Sequence, residues 1–514
     1  MTRRLSIFMA ISLLLASCEE EGKPSYIPNP AVDISVLSVG LHDACVEIQS
    51  INASQTRYLC AEKDEVRNVE AEAIYSAGTP VEKPRFTIDG LEEKSEYHIF
   101  AVAVNSEGRY SAVKRDTLVT PNDPSNDIVA DEPLDKEMDE NGLYRWERGR
   151  DPLPEFADMA LCYGGHSARN PRVWDKNRFR KTAVYTDQNG QDHWFFDSML
   201  MLEIWDDNYK VTYSIANDGK SSSRKHYWTG FLDYWFDSRY GFQALDDCIA
   251  EAAAQIGTPP SPRYVVVSIP DPVYFENYSK GVSGKDKNTV YWGEIDGTPM
   301  DFSRMEHRLQ AYRWFIDQVR ARFAQKEYRY IQLLGFYIIS ESLSMQGGWR
   351  YEYKQHEELI PQVADYCHSV NEGLYWIPYS VSDDDPGHNR ALQNWRQFGF
   401  DLTILQPNYY WDNKDWDVTC DYINRYDMGM EFEFEGSHGY GTSILGNSDA
   451  AKRNKARFTE YMDNARKYGI YGKKPIVLYT GTNALYELAV SEETSDIDLY
   501  HEFGEFIVNS PLKY

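Results

Sequence analysis

Two hydrophobic rhythms divide the chain. From Ala31 to Thr120 apolar and polar residues alternate in short runs, as in VDISVLSVG, ACVEIQSI, RFTIDGL and EYHIFAVAVN, with turn signals at Asp89-Gly90 and Glu107-Gly108. Period-two alternation interrupted by such turns predicts antiparallel strands with one solvated face, and so an all-β sandwich over 31–120. Beyond about residue 150 the rhythm changes. Nearly continuous apolar runs alternate with amphipathic stretches of helical period, which predicts an α/β domain built on parallel strands. Eight runs qualify as strands: DMALCYGG from 158, WFFDSMLMLEIW from 194, RYVVVSIPD from 263, YIQLLGFYIISES from 330, LYWIPYSVSDD from 374, DLTILQPNYYW from 401, MGMEFEFEG from 428 and KPIVLYTG from 474. The clearest intervening helix carries Met305, Leu309, Tyr312, Ile316, Val319 and Phe323 at spacings of three or four. Eight strand and helix units within 151–514 predict a TIM (β/α)8 barrel with enlarged loops. The alternative, an open doubly wound sheet, lacks a GxGxxG or Walker motif after any strand.

Before the sandwich, Arg3 and Arg4 precede an apolar run from Leu5 to Leu15 and then Ala16-Ser17-Cys18. That is the build of a secretory signal, too short to span a bilayer. The string LLASC resembles a bacterial lipobox, which implies a signal peptide over 1–18 and a lipidated Cys18, with membrane attachment through that lipid anchor only. Glu19, Glu20 and Glu21 resemble the surface-export tag of Bacteroidota-type outer-membrane lipoproteins, which implies a cell-surface location. Residues 19–30 then form a tether. The acidic, Pro-bearing stretch 121–150 cannot bury a core and is expected as a linker. LEEKSEYHIFAVAVNSEGRYS resembles the fibronectin type III family, with Tyr97 at the tyrosine-corner position; the resemblance implies a spacer module. The other six cysteines contain no CxxC pair, although Cys45 and Cys60 lie close enough in sequence to pair.

Charge and composition narrow the function. Lys and Arg number 53 against 80 Asp and Glu, a net charge of −27, which disfavours nucleic acid and basic-patch binding to membranes. Aromatic residues make up 14%, with 38 Tyr and 13 Trp. That exceeds what a core needs, and such amphipathic rings suit a binding surface.

In a barrel the chemistry sits where the strands end. Those endings include Tyr163 to His166, Asp271, Ser340-Glu341-Ser342, Ser382 to Asp385, Asn408 to Trp411, Glu431, Glu433 and Glu435, and Tyr479-Thr480. Alternation along strand four puts Gly335, Tyr337, Ile339 and Glu341 on one face. In strand seven it puts Gly429, Glu431, Glu433 and Glu435 on one face and Met430, Phe432 and Phe434 on the other. The apolar face must meet the helices, so the glutamates point into the barrel. An inward carboxylate is costly unless paired or solvated at the mouth. Two carboxylates facing across a barrel mouth are the minimal equipment for glycosidic cleavage.

This placement resembles the large clan of (β/α)8 retaining glycosidases. By that resemblance Glu341 is the acid/base, and Glu433 or Glu435 the nucleophile. The clan commonly has Asn before its acid/base, where this chain has Ser340. Across GFYIISES, LQPNYYW and GMEFEFEG the chain also resembles a family of barrel proteins described as a domain of unknown function. Trp349, Tyr351, Tyr353, Tyr409, Tyr410, Trp411 and Trp416, from the loops after strands four and six, offer faces for sugar rings. Tyr337, Asn408, Asp271, Tyr479 and His438 complete the expected substrate-binding set. The histidines form no HExxH, the run Asp383-Asp384-Asp385 reads as a solvated acidic loop before a Ca²⁺ site, and no GxSxG elbow appears. The expectation is therefore a glycoside hydrolase acting on a complex poly- or oligosaccharide, with no cofactor and no metal. The alternative is a non-catalytic glycan-binding outer-membrane lipoprotein that keeps the barrel and its aromatic rim.

Overall fold

The computed structural model describes residues 28–40, 43–63, 65, 69–92, 95–120, 136–138, 144–146, 155–165, 173–206, 211–214, 221–273, 292–343, 345, 355–382, 384–412, 414–437, 442–479, 481 and 483–513. Cys18, Trp349, Tyr351, Tyr353, His166 and His438 lie outside the described residues. The chain divides into two compact units, the first ending at Thr120 and the second running from Pro121.

The first unit is β-rich and antiparallel. Ala31–Val39, Asp43–Ile51 and Arg85–Asp89 form a three-stranded sheet, and Thr79–Pro80, Gln55–Glu62, Glu96–Val104 and Lys114–Val119 a four-stranded one. The alternating apolar positions supply its core: Val32, Ala44, Val46, Ile48, Ile88, Ile99, Ala101, Ala103 and Leu118 are buried together. The Tyr97 hydroxyl accepts a hydrogen bond from the Glu92 amide at 2.8 Å, five residues upstream, the contact a tyrosine corner makes. Among the described residues Cys60, Cys162, Cys248, Cys367 and Cys420 are free thiols, so Cys60 forms no disulfide with Cys45. Within the expected linker, Lys136–Met138 pairs antiparallel with Tyr144–Trp146.

The second unit is a closed barrel of eight parallel strands, a TIM barrel: Asp158–Tyr163, Ser198–Leu202, Arg263–Ile269, Ile331–Ile338, Gly373–Trp376, Leu402–Leu405, Gly429–Glu433 and Ile476–Tyr479. Seven fall inside the predicted apolar runs, and the fifth begins one residue before its run, at Gly373. The strands are buried almost throughout because helices cover them, which is why they read as continuous apolar runs. Helix Met305–Lys326 buries Leu309, Tyr312, Ile316 and Val319, the stripe its spacing defines.

Strand four holds an irregularity that fixes the site. Val265 of strand three pairs with Leu333, but Val266 pairs with Gly335, so Leu334 is an extra residue, a bulge. Beyond it the register aligns Ser268 with Tyr337, Tyr337 with Tyr375, and Gly335 with Gly373. Gly335 has φ 155°, and a Cβ there would lie 2.1 Å from the Gly373 carbonyl oxygen. Only glycine accommodates that approach.

Candidate active site

Strand seven ends at Glu433, and its alternation is the expected one. Glu431 and Glu433 are 2% and 1% exposed. Burial, then the charges of Glu433 and Glu341, hold the Glu431 carboxyl well above the usual range. On Glu433, burial is again the largest influence. Hydrogen bonds from Tyr461 and the Asn408 backbone oppose it, Glu341 and Asp412 reinforce it, and the carboxyl is raised to about 8. The Tyr461 hydroxyl donates to Glu433 Oε2 at 2.5 Å. The groups offsetting burial are thus neutral donors and not a cation. Glu341, three residues past the end of strand four at Ile338, is exposed. Its charge acts on Glu431, Glu433, Tyr337 and Tyr379, so it shares the mouth with the strand-seven pair. Its backbone carbonyl accepts from the Tyr379 amide at 3.0 Å, which ties it to the end of strand five.

Between these two carboxylates stand groups from strands five and six. Asn408 takes a left-handed conformation, φ 53°, and its side-chain amide donates to Tyr379 Oη and Asp412 Oδ2, each at 2.8 Å. The turn aims its backbone N–H at Glu433 while the side chain spans to strand five. Tyr337 lies beneath Glu341. Burial, with Glu341, Glu431 and Asp271 adding, keeps its phenol protonated far above the ordinary range. One wall is aromatic: Tyr479 meets Tyr163 edge-on at 5.7 Å and Trp411 at 5.7 Å. Tyr479 and Trp411 are half-buried, so part of each ring faces solvent.

Several expected residues fall elsewhere. Glu435 is fully buried beyond the strand end, where it accepts from Thr442 Oγ1 at 2.5 Å and its carbonyl accepts from the Ile444 amide at 2.8 Å. Through these two bonds it anchors the following loop. Tyr410 is also fully buried; its hydroxyl donates to the Thr442 carbonyl, so its ring is no platform for a sugar. Tyr409 turns toward helix Asp449–Lys467, donates to Glu460 Oε2 at 2.5 Å and packs on Trp416 at 4.6 Å. These two rings belong to the packing that carries Tyr461. Asp271 is 6% exposed and accepts from Ser340 Oγ at 2.8 Å and Tyr312 Oη at 3.3 Å. It joins strand ends three and four to a helix, and Ser340 is turned to that task.

Tyr461, Tyr379 and Asp412 were not among the sequence candidates. Tyr379 had a signal, since it continues the Tyr375–Ile377 alternation of strand five. Tyr461 had none, because a tyrosine on an amphipathic helix reads as core. Among the described residues, no group of three or more His, Cys, Asp or Glu could hold a metal ion. Asp385 instead caps helix Pro386–Gln393 by accepting from the His388 amide at 3.0 Å.

Fold and site define a TIM-barrel protein with carboxylates from strands four and seven in its mouth. Residues 158–505 match the family described as "Domain of unknown function (DUF4855)", more than half of the chain, and the chain belongs to that family. No curated protein matches the chain. Among solved structures, it is similar over 18% of its length to a computer-redesigned β-sandwich protein, at 22% identity, 92% of that chain and a TM-score of 0.15. It is similar over 20% of its length to the fn3 domain of human collagen alpha-1(XX) chain, at 18% identity, 95% of that chain and a TM-score of 0.16. A third likeness, to chitinase ChiA74 from Bacillus thuringiensis, has 17% identity and a TM-score of 0.14, and covers 18% of this chain and 14% of that one.

Proposed function

We propose that the protein is a glycoside hydrolase of complex poly- or oligosaccharides, with Glu341 and Glu433 as its working carboxylates. The observation that carries this reading is Glu433: a buried carboxyl at the barrel mouth, offset by Tyr461 and Asn408 instead of an ion pair, within electrostatic reach of Glu341. A structural carboxylate in that position would be expected to pair with Arg or Lys. The two environments suit different tasks. Glu341 is exposed and can exchange protons with water, as a group acting first as acid and then as base must. Glu433 is held by two donors, as a group attacking one carbon must be.

In the proposed sequence the Glu433 carboxylate bonds to the anomeric carbon while the glycosidic C–O bond breaks and the departing oxygen takes the Glu341 proton. Glu341, now ionised, removes a proton from water, whose oxygen attacks the same carbon and releases Glu433. Two displacements retain configuration. Tyr479 and Trp411 would stack on the sugar, and Asn408, Tyr379 and Tyr337 lie close to the reacting pair. The lipobox string at Cys18 extends the proposal to a lipid-anchored, cell-surface enzyme of the outer membrane. Screening purified glycans for new reducing ends, with Glu341→Gln as control, tests the reaction. Release by wild type and not by the variant supports it. Glycans that bind by calorimetry without any product from wild type would favour a binding protein.

A further inference from the structure

The proposed reaction leaves Glu431 unused. It stands two residues before Glu433 on the inward face of strand seven, about 6.6 Å deeper in the barrel at the usual strand rise. The register sets it beside Val477, as it sets Glu433 beside Tyr479 of the aromatic wall. Glu431 is buried, yet among the described residues its carboxyl has no hydrogen-bond partner and no basic side chain acts on it. Glu435 Oε1 is sealed inside the protein, whereas the Glu431 oxygens are not. The charges that reach Glu431 are acidic, Glu433 from its own strand and Glu341 from beyond strand four. The other titratable groups close to it are the Tyr337 and Tyr461 phenols, which burial keeps neutral. A buried carboxyl without a donor or a cation is costly and normally has a reason.

We propose that Glu431 binds the ammonium of an amino sugar held at the Glu341–Glu433 pair, so that the substrate is a glycan carrying free amines; in placing a sugar there, this rests on the glycoside hydrolase reading. Three features select that class. The missing partner must donate hydrogen bonds, and a positive donor also offsets the neighbouring carboxylates, which a hydroxyl would not. Among the described residues no group of three or more His, Cys, Asp or Glu could hold a metal ion, which leaves an organic cation. The half-buried Tyr479 and Trp411 rings offer a flat face on which a sugar ring rests and a simple alkylamine does not. In the free protein burial, then Glu433 and Glu341, keep the Glu431 carboxyl protonated. On binding, its O–H bond breaks, the proton leaves to water, and the carboxylate accepts from the ammonium.

Calorimetry on the full chain tests this at about pH 6, where sugar amines are protonated. The probes are D-glucosamine, D-galactosamine and D-mannosamine, each against its N-acetyl form and parent hexose, with methylammonium and Ca²⁺ as further arms. At least one hexosamine should bind about tenfold tighter than its N-acetyl form. Its binding enthalpy should vary with the ionisation enthalpy of the buffer, the mark of a released proton. In Glu431→Gln, which matches the neutral acid in shape, both the preference and the buffer dependence should vanish; the wild-type arms decide alone if that variant does not fold. Equal binding of amine and amide, a buffer-independent enthalpy in wild type, an unchanged preference in Glu431→Gln, or binding of methylammonium or Ca²⁺ as tight as that of the hexosamines would overturn the proposal. None of these measurements needs turnover. A Glu431-dependent preference without hydrolysis of any glycan would therefore uphold the amine site and remove the hydrolase reading, and hydrolysis without that preference would do the reverse.

Discussion

Glu433 combines opposed influences: burial favours its neutral form, and the Tyr461 hydroxyl favours the charged one. Its balance near 8 sets the pH behaviour. The folded chain keeps a proton that the unfolded chain releases near the ordinary value of 4.5, so the stability from this group is full below about pH 4.5 and is lost as pH rises through about 8. Glu433→Gln carries no such charge. It should unfold at a higher temperature than wild type at about pH 9 and near the wild-type temperature at about pH 4, and a difference that shrinks with rising pH would contradict this. As a nucleophile Glu433 must be ionised while Glu341 keeps its proton, so kcat/KM should pass through a maximum in pH, with the acid limb set by the raised Glu433 carboxyl. Tyr461→Phe removes a donor that lowers the Glu433 value, and that limb should move to higher pH; a pH-independent loss of rate would point to damaged packing alone. Glu341→Gln should lower turnover of an unactivated glycan by about 10²- to 10⁴-fold with little change in binding. The two carboxylates were legible in the sequence because strand alternation is a local rule. Glu435 obeys the same alternation and also holds Thr442 and the Ile444 amide, bonds that no local pattern encodes.

At the level of elements, the strand-four bulge sets which residues face inward. Leu333 and Gly335 would share a face in a regular strand, but the extra Leu334 separates them, and beyond it Gly335 and Tyr337 pair with Gly373 and Tyr375. The place that permits this is the contact of Gly335 with Gly373. Gly335→Ala should lower stability by roughly 1–3 kcal/mol, through backbone strain and the clash with the Gly373 carbonyl. Chemical denaturation of the barrel unit checks it, and an unchanged midpoint would show that the backbone relaxes there. Every strand and the main helix stripe were legible because buried parallel strands and amphipathic helices have distinct periods. The aromatic loops were not. Trp411 and Tyr409 are both half-buried, but the Tyr409 hydroxyl is committed to Glu460 of helix Asp449–Lys467, and Tyr410 is sealed against the Thr442 carbonyl. Three consecutive aromatic residues look alike in sequence, and their separation depends on long-range packing.

For the molecule as a whole, the two compact units have their own cores, Val32 to Leu118 in one and the barrel interior in the other. Deleting residues 31–120 should leave the barrel with the unfolding midpoint it has in the full chain, checked by denaturation followed through its tryptophans. Among the described residues no helix is long and apolar enough to cross a membrane. If Cys18 carries the anchor, Cys18→Ala should move the protein from the membrane fraction to the soluble one, and continued sedimentation with membranes would refute that attachment. The central claim concerns the Glu341–Glu433 pair, and rescue of Glu433→Ala by azide tests it most directly, read by NMR of the anomeric carbon of the product. The account predicts an inactive variant that, with azide, forms a glycosyl azide of anomeric configuration opposite to the wild-type product. A Glu433→Ala protein that hydrolyses glycan at the wild-type rate, with no azide adduct, would contradict it.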